Sequence, residues 1–163
     1  MNRLLIESVL AFLALPGIVA FLIPIVFAPV GIPSLDPRAL VLISPGVALL
    51  LWCVVEFYRS GKGTLAPWTP TRHLVMSGPY AFSRNPMYIA VELILWGWAL
   101  GFHSSGLAWY AVGLMVAFHL RVLLVEEPWL AETHGEAWQS YRETVPRWIG
   151  LRRAPVTRPR ETT

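Results

Sequence analysis

From Ser8 to Leu35 this chain carries no charged side chain, and from Ala39 to Val55 it again carries none. A helix needs about 20 predominantly apolar residues to cross the hydrocarbon core of a bilayer, so two such runs in succession make lipid the natural solvent for this sequence. The composition agrees: 163 residues, 55% hydrophobic and only 14% charged, with a mean hydropathy of +0.54. That is too apolar for an ordinary soluble domain and too short for several domains. The single cysteine, Cys53, lies within an apolar run, which excludes an intrachain disulfide framework and a cysteine-based zinc site.

The first run is longer than a secretory leader and lacks a small-residue cleavage pattern near its end, so it reads as a retained first helix. Its prolines Pro16, Pro24 and Pro29 remove backbone donors. A membrane helix tolerates such gaps only where neighbouring elements satisfy the freed carbonyls, and this helix is expected to bend or end near Pro29. Asp36-Pro37-Arg38 makes a short link to a second span, Ala39 to Val55, which pairs with the first as a hairpin. From Glu56 to Arg84 runs the one long polar connection. Its Gly61, Gly63, Pro67, Pro70, Gly78 and Pro79 oppose a continuous helix, while Trp68, Leu74, Tyr80 and Phe82 oppose a merely solvated loop.

Pro86 suits the first turn of a third span, which reaches about Phe102 and carries Glu92. A turn at 101–106 leads to a fourth span, from about Leu107 to Leu120. Beyond Arg121, Glu126 to Glu143 can form a helix interrupted at Gly135, with Trp129, Trp138, Tyr141 and Trp148 suited to a membrane interface. The expected fold is all-α: a bundle of about four transmembrane helices in two hairpins, followed by a C-terminal interfacial helix. Residues 1–150 form one domain, of which 1–58 are scaffold, and 151–163 read as a disordered basic tail.

Arg59, Lys62, Arg72 and Arg84 crowd the long connection, six arginines crowd the C-terminal part, and the turn between spans three and four has none. The positive-inside rule then puts both polar segments and both termini on the cytoplasmic side. Twelve arginines against one lysine point to a bacterial source, hence an inner membrane. The basic residues flank apolar runs and form no separate basic domain, which argues against nucleic acid as a partner.

Chemistry concentrates where the third span begins and the fourth ends. Arg84, Asn85 and Tyr88 fall at one end of an antiparallel hairpin, and Arg121, Glu126 and Glu127 at the same end, so one pocket can contain them. Charges beside a low-dielectric region are costly unless they satisfy one another or a ligand. The competing interpretations are a solvated helix start for the glutamates and a topology anchor for Arg84. His73, His103, His119 and His134 never reach metal-ligand spacing, so no metal is expected. Gly61-Lys62-Gly63-Thr64 lacks the spacing of a phosphate loop.

Gly78-Pro79-Tyr80, then Arg84-Asn85-Pro86-Met87-Tyr88, then Glu126-Glu127 followed by Gly135, Tyr141 and Val145-Pro146, form an ordered set. It resembles the integral-membrane methyltransferases of the isoprenylcysteine carboxyl methyltransferase and phospholipid methyltransferase superfamily, over roughly Glu56 to Trp148. The resemblance implies an S-adenosylmethionine site covered by the long connection. It places Arg72, His73, Leu74, Val75, Gly78, Tyr80, Asn85, Pro86, Met87, Tyr88, Glu126 and Glu127 on the cofactor, and Arg84, Asn85, Tyr88 and Glu127 nearest the chemistry. Asn85 departs from the histidine usual in the prenylcysteine enzymes; asparagine keeps a hydrogen-bond donor and cannot titrate.

The implied acceptor is lipophilic or amphiphilic and enters from the bilayer. A carboxylate or thiolate acceptor needs no general base, whereas an amine must be neutral when it attacks, which calls for a base such as Glu92 or one of the glutamate pair. A non-catalytic membrane protein, with these charges serving topology and packing, is the alternative of another class; a carrier or channel is disfavoured because Glu92 alone is a convincing intramembrane ionisable group. Oligomeric state stays open, since short spans with small residues could bury a site alone or pair with a second copy.

Overall fold

The computed structural model describes residues 13–27, 36–60 and 74–150, all of whose regular structure is helical. Helix α1 is wound as a π-helix over Leu13–Leu22 and continues as α-helix over Ile23–Val26. A 3₁₀ turn, Pro37–Ala39, leads into α2, Leu40–Ser60. A second 3₁₀ turn, Gly78–Ala81, precedes α3, Pro86–Gly101, and α4, Ser105–Arg121. A π-turn, Val122–Glu126, then joins α4 directly to α5, Glu127–Thr144.

Among the described residues two stretches are long and apolar enough to cross a membrane, Pro37–Phe57 and Ser105–Thr144, and two shorter helices, Pro16–Val26 and Pro86–Gly101, are also apolar. The second stretch has 40 residues, twice what a bilayer requires, so its apolar half up to Arg121 is the part suited to the hydrocarbon. Its other half, from Glu126 onward, is the polar helix expected beyond the last span, and it is continuous with that span.

Helix α3 is the centre of the bundle. Ala90, Val91, Ile94, Leu95, Gly97 and Ala99 are all buried, because α2, α4 and α1 cover it from different sides. Apart from Tyr88 and Glu92 its side chains are apolar, as suits a helix covered on several sides. Its contact with α2 depends on glycine: a Cβ at Gly97 would lie 2.4 Å from Ile43 Cγ1, and one at Gly46 would lie 2.8 Å from Ile94 Cγ1. The outer face of α4 leaves Trp109, Met115, Val116 and Leu120 uncovered, the pattern of a lipid-facing surface.

The hairpin of α3 and α4 forms at the expected turn. Phe102 and Ser104 donate backbone N–H to Trp98 and Ala99, His103 takes a left-handed φ of 47°, and the Ser104 hydroxyl accepts from Leu107 N–H to cap α4. Asp36 N–H donates to Gly101 O at 3.1 Å and ties the start of α2 to the end of α3.

The first hairpin differs from expectation, because α1 rests chiefly on α3 and not on α2. Proline explains the docking. Pro24 has no N–H, so the carbonyl of Ala20, its α-helical partner, and that of Val19, its π-helical partner, lose their intrahelical donor. Trp98 Nε1 donates to Ala20 O at 2.9 Å and Tyr110 hydroxyl donates to Val19 O at 3.3 Å. The expected ending near Pro29 falls outside the described residues, as do Arg72, His73, most of the long connection and the basic tail.

Candidate functional site

The charged groups gather where α3 begins and α4 passes into α5. The π-turn is the local device. Its wider winding brings residue i+5 over residue i, so Arg121 Nε reaches Glu126 Oε1 at 2.8 Å. The next residue, Glu127, projects about 100° further round, as successive positions on a helix do. Two adjacent glutamates therefore serve two separate sets of partners.

Glu127 is the more enclosed, with its side chain 12% exposed, and it meets two guanidinium groups. Arg84 Nη1 donates to Oε1 at 2.9 Å, while Arg147 forks across the carboxylate, Nε to Oε1 at 2.7 Å and Nη2 to Oε2 at 2.9 Å. Arg84 is itself 8% exposed and lies 5.2 Å over the Trp138 ring, a cation–π contact. Burial lowers the Arg84 pKa, with the Glu127 charge opposing that shift. Burial pushes the Glu127 carboxyl up, but the Arg147 hydrogen bonds and the charges of Arg84 and Arg147 prevail, and its pKa ends below the ordinary value of 4.5. The Arg147 pKa is raised by the same hydrogen bonds.

Glu126 accepts from Tyr88 hydroxyl as well as from Arg121. The Tyr88 ring stacks on Phe118 with centroids 4.3 Å apart, which holds the start of α3 against the end of α4. Arg84 and Tyr88, one turn apart, thus address different carboxylates. Asn85 does something else: its Nδ2 donates to the Arg147 carbonyl at 3.0 Å, and Arg84 N–H donates to Pro146 O at 3.0 Å. The segment after α5 is fastened to the start of α3 by bonds to its backbone, and that presents the Arg147 guanidinium to Glu127.

The remaining expected positions form two flanking clusters. Val75 and Tyr80 pack with Cys53 and Met87, and the Tyr80 ring meets Phe57 edge-on at 5.2 Å. Gly78, at φ 60°, sits where a Cβ would lie 2.9 Å from Glu56 Oε2, and Ser77 hydroxyl donates to Glu56. Leu74 packs instead with Trp138, Tyr141 and Val145, and Tyr141 hydroxyl donates to Tyr80 O at 2.7 Å, linking the clusters. Pro86 is buried at the first turn of α3. An apolar cavity of about 220 Å³ opens beside it, lined by Leu49, Trp52, Phe82, Ile89 and Trp148 among others.

Arg147, Trp138 and Ser83 belong to this assembly although the sequence does not single them out. Ser83 hydroxyl accepts from Asn85 N–H at 3.1 Å and donates to Arg147 O at 3.3 Å. Arg147 is hidden among tail arginines, and a charge count gives no signal for it, since Arg84 and Arg121 already balance Glu126 and Glu127. Among the described residues no group of three His, Cys, Asp or Glu could hold a metal ion.

No curated protein and no solved structure matches the chain. One family model does: that of phospholipid methyltransferase matches residues 39–137, from the start of α2 into α5. The match runs through Arg84, Asn85, Tyr88, Glu126 and Glu127 and covers more than half of the sequence, so the chain belongs to the phospholipid methyltransferase family.

Proposed function

We propose that the chain is an S-adenosylmethionine-dependent methyltransferase embedded in the membrane by four spans, α1 to α4, with the charged end facing the cytoplasm of a bacterial cell. The observation that carries this reading is the meeting of Glu126, Glu127, Arg84 and Tyr88 at one end of the α3–α4 hairpin. The residues fit the cofactor's polar groups. Arg84 Nε and Trp138 Nε1 are buried donors without a hydrogen-bond partner among the described residues, suited to a carboxylate. Glu126 and Glu127 offer acceptors to an ammonium or to ribose hydroxyls, and Tyr80 or Tyr88 an aromatic face. When bound, S-adenosylmethionine supplies a methyl group activated on a sulfonium.

The protein's part is to orient that methyl toward an acceptor and to exclude bulk water. The apolar cavity beside Pro86 suits the hydrocarbon of a lipophilic or amphiphilic acceptor. A prenylcysteine-like carboxylate, another small apolar acceptor or the amine of a phospholipid headgroup are the classes to distinguish. One observation favours the non-catalytic alternative: both oxygens of Glu127 already have arginine partners, as they would in a packing clasp.

Calorimetric titration of the detergent-solubilised protein with S-adenosylhomocysteine separates the two. Binding is expected, and Arg84→Ala and Glu126→Ala should each weaken it more than about tenfold. Folded protein that binds nothing at millimolar ligand would overturn the methyltransferase reading, and unchanged affinity in both variants would overturn the site map. Orientation is testable because the native Cys53 is buried. A Ser105→Cys variant should react with an impermeant thiol reagent added outside intact cells, and labelling only after lysis would reverse the topology.

A further inference from the structure

The cavity beside Pro86 has walls that differ in how far they can give way. Leu49 and Trp52 come from α2, and Pro86 and Ile89 from α3. The register of these two helices is fixed, since neither Gly46 nor Gly97 leaves room for a Cβ between them. Phe82 follows the 3₁₀ turn, where Trp52 packs on glycine: a Cβ at Gly78 would lie 3.2 Å from Trp52 Nε1. The remaining wall is Trp148, Ile149 and Gly150, in the segment after α5. Three bonds tie the backbone of that segment to the residues leading into α3. Arg84 N–H donates to Pro146 O at 3.0 Å, and Arg147 O accepts from Asn85 Nδ2 at 3.0 Å and from Ser83 hydroxyl at 3.3 Å.

Within that segment Trp148 decides the width of the cavity, because Ile149 is 84% exposed and Gly150 has no side chain. The Trp148 indole lines the cavity and also reaches α4. Its Nε1 donates to His119 Nδ1 at 3.2 Å, and the two rings stack with centroids 5.9 Å apart. Ser83, another lining residue, joins the cavity to the charged mouth. Its hydroxyl accepts from Asn85 N–H and donates to the carbonyl of Arg147, whose guanidinium holds Glu127.

We propose that Trp148 is the size filter of the acceptor site: held by His119, it restricts the cavity to an unbranched alkyl chain and turns away the methyl-branched chain of an isoprenoid. The proposal rests on the methyltransferase reading and narrows its acceptor by the shape of the hydrocarbon. A volume of about 220 Å³ is below the roughly 300–1,000 Å³ of pockets for drug-sized ligands, so the cavity accommodates a segment of chain. Between the flat rings of Trp52, Phe82 and Trp148, a branch methyl needs width that helices in fixed register do not yield, the situation of an overpacked core. His119 is a positioning residue, acting through the indole. Trp148 lies beyond residues 39–137, so the match to the family model does not account for it.

Photolabelling of the detergent-solubilised full-length protein tests the filter with two diazirine-bearing probes of equal chain length, octanol and its branched analogue dimethyloctanol. Labelled peptides are located by mass spectrometry. Wild type should be labelled around Leu49 and Ile89, by the linear probe at least about tenfold more than by the branched one, the order of discrimination a hydrophobic pocket achieves for one methylene. Trp148→Ala should take both probes alike. His119→Ala removes the acceptor and should weaken the preference, and His119→Gln, whose side-chain oxygen can accept from the indole N–H, should restore it. A variant that leaves the segment after α5 intact gives a second measure: Ile89→Trp fills the cavity from α3 and should lower labelling by the linear probe about tenfold. Equal labelling of wild type by both probes, absence of label around Leu49 and Ile89, or undiminished labelling of Ile89→Trp overturns the filter. A wild-type preference retained in Trp148→Ala overturns the role of Trp148, and one retained in His119→Ala overturns that of His119. Labelling needs no methyl donor, so failure of wild type to bind S-adenosylhomocysteine overturns the methyltransferase reading separately.

Discussion

The seam between α2 and α3 and the mouth where α3 meets α5 are built on opposite principles. At the seam there is no charge: Gly46 and Gly97 let two helices approach until Ile43 and Ile94 fill the space. In lipid, apolar surfaces gain little from avoiding the solvent, so close fit is what associates these helices. At the mouth fit is secondary, and Arg84, Glu127 and Arg147 are held by matched charge in a setting that is 8%, 12% and 29% exposed. The seam should therefore be sensitive to volume and indifferent to isosteric change, and the mouth should be the reverse.

Removing Glu127 is the strongest way to test that contrast. Glu127→Ala strands two guanidinium groups, one of them almost fully enclosed, and breaking a buried pair from one side typically costs about 3–5 kcal/mol. Glu126→Ala should cost much less in stability, because its arginine, Arg121, is half exposed and its ion pair is screened by solvent. Unfolding of both variants in mixed micelles would check the order, and equal losses would refute the separation of the two carboxylates. Acid should reproduce the larger effect. The folded pKa of Glu127 is depressed, so its contribution to stability is present above the unfolded value near 4.5 and is lost as pH falls through the lower folded value. A Glu127→Gln protein should lack that acid limb.

The seam is tested by bulk. A Cβ at Gly97 would meet Ile43 Cγ1 at 2.4 Å and the Ala39 carbonyl at 3.2 Å, and the backbone contact cannot be relieved by a rotamer change. Gly97→Val should cost about 1–3 kcal/mol, the range for overpacking a filled core. Adding Ile43→Ala should recover part of that loss, because it removes the nearer of the two clashes. No recovery in the double variant would mean that backbone approach alone sets the spacing.

Fold and site are legible in the sequence where one local rule decides the outcome. Pro86 starts α3, the turn at 102–104 closes the hairpin, and Gly135, with φ 50° and ψ −121°, interrupts α5. That Arg84 and Tyr88 lie at the same end as Glu126 and Glu127 follows from antiparallel geometry, while the partner each glutamate takes depends on the π-turn. Other features depend on contacts distant in sequence. Arg147 reaches Glu127 only because Asn85, Ser83 and Arg84 hold the segment after α5. Asn85 accordingly looks like a substituted catalytic position in sequence and acts as a fastener in the fold. The π-turn has no composition of its own, since Val122-Leu123-Leu124-Val125 reads equally well as α-helix.

The docking of α1 gives the mildest prediction, because it combines features of both regions: an apolar contact with two polar bonds in it. Trp98 Nε1 is the replacement for the donor that Pro24 lacks. Trp98→Phe keeps an aromatic ring against Phe102, which Trp98 stacks upon at 5.4 Å, and leaves the Ala20 carbonyl without that bond. The loss should be about 1 kcal/mol, a single neutral hydrogen bond, with S-adenosylhomocysteine affinity unchanged because the charged mouth is untouched. Restoring the helix's own donor with Pro24→Ala should make the same Trp98→Phe change nearly neutral. If the two substitutions simply add, the carbonyl released by Pro24 is not what brings α1 onto α3, and packing alone must account for it.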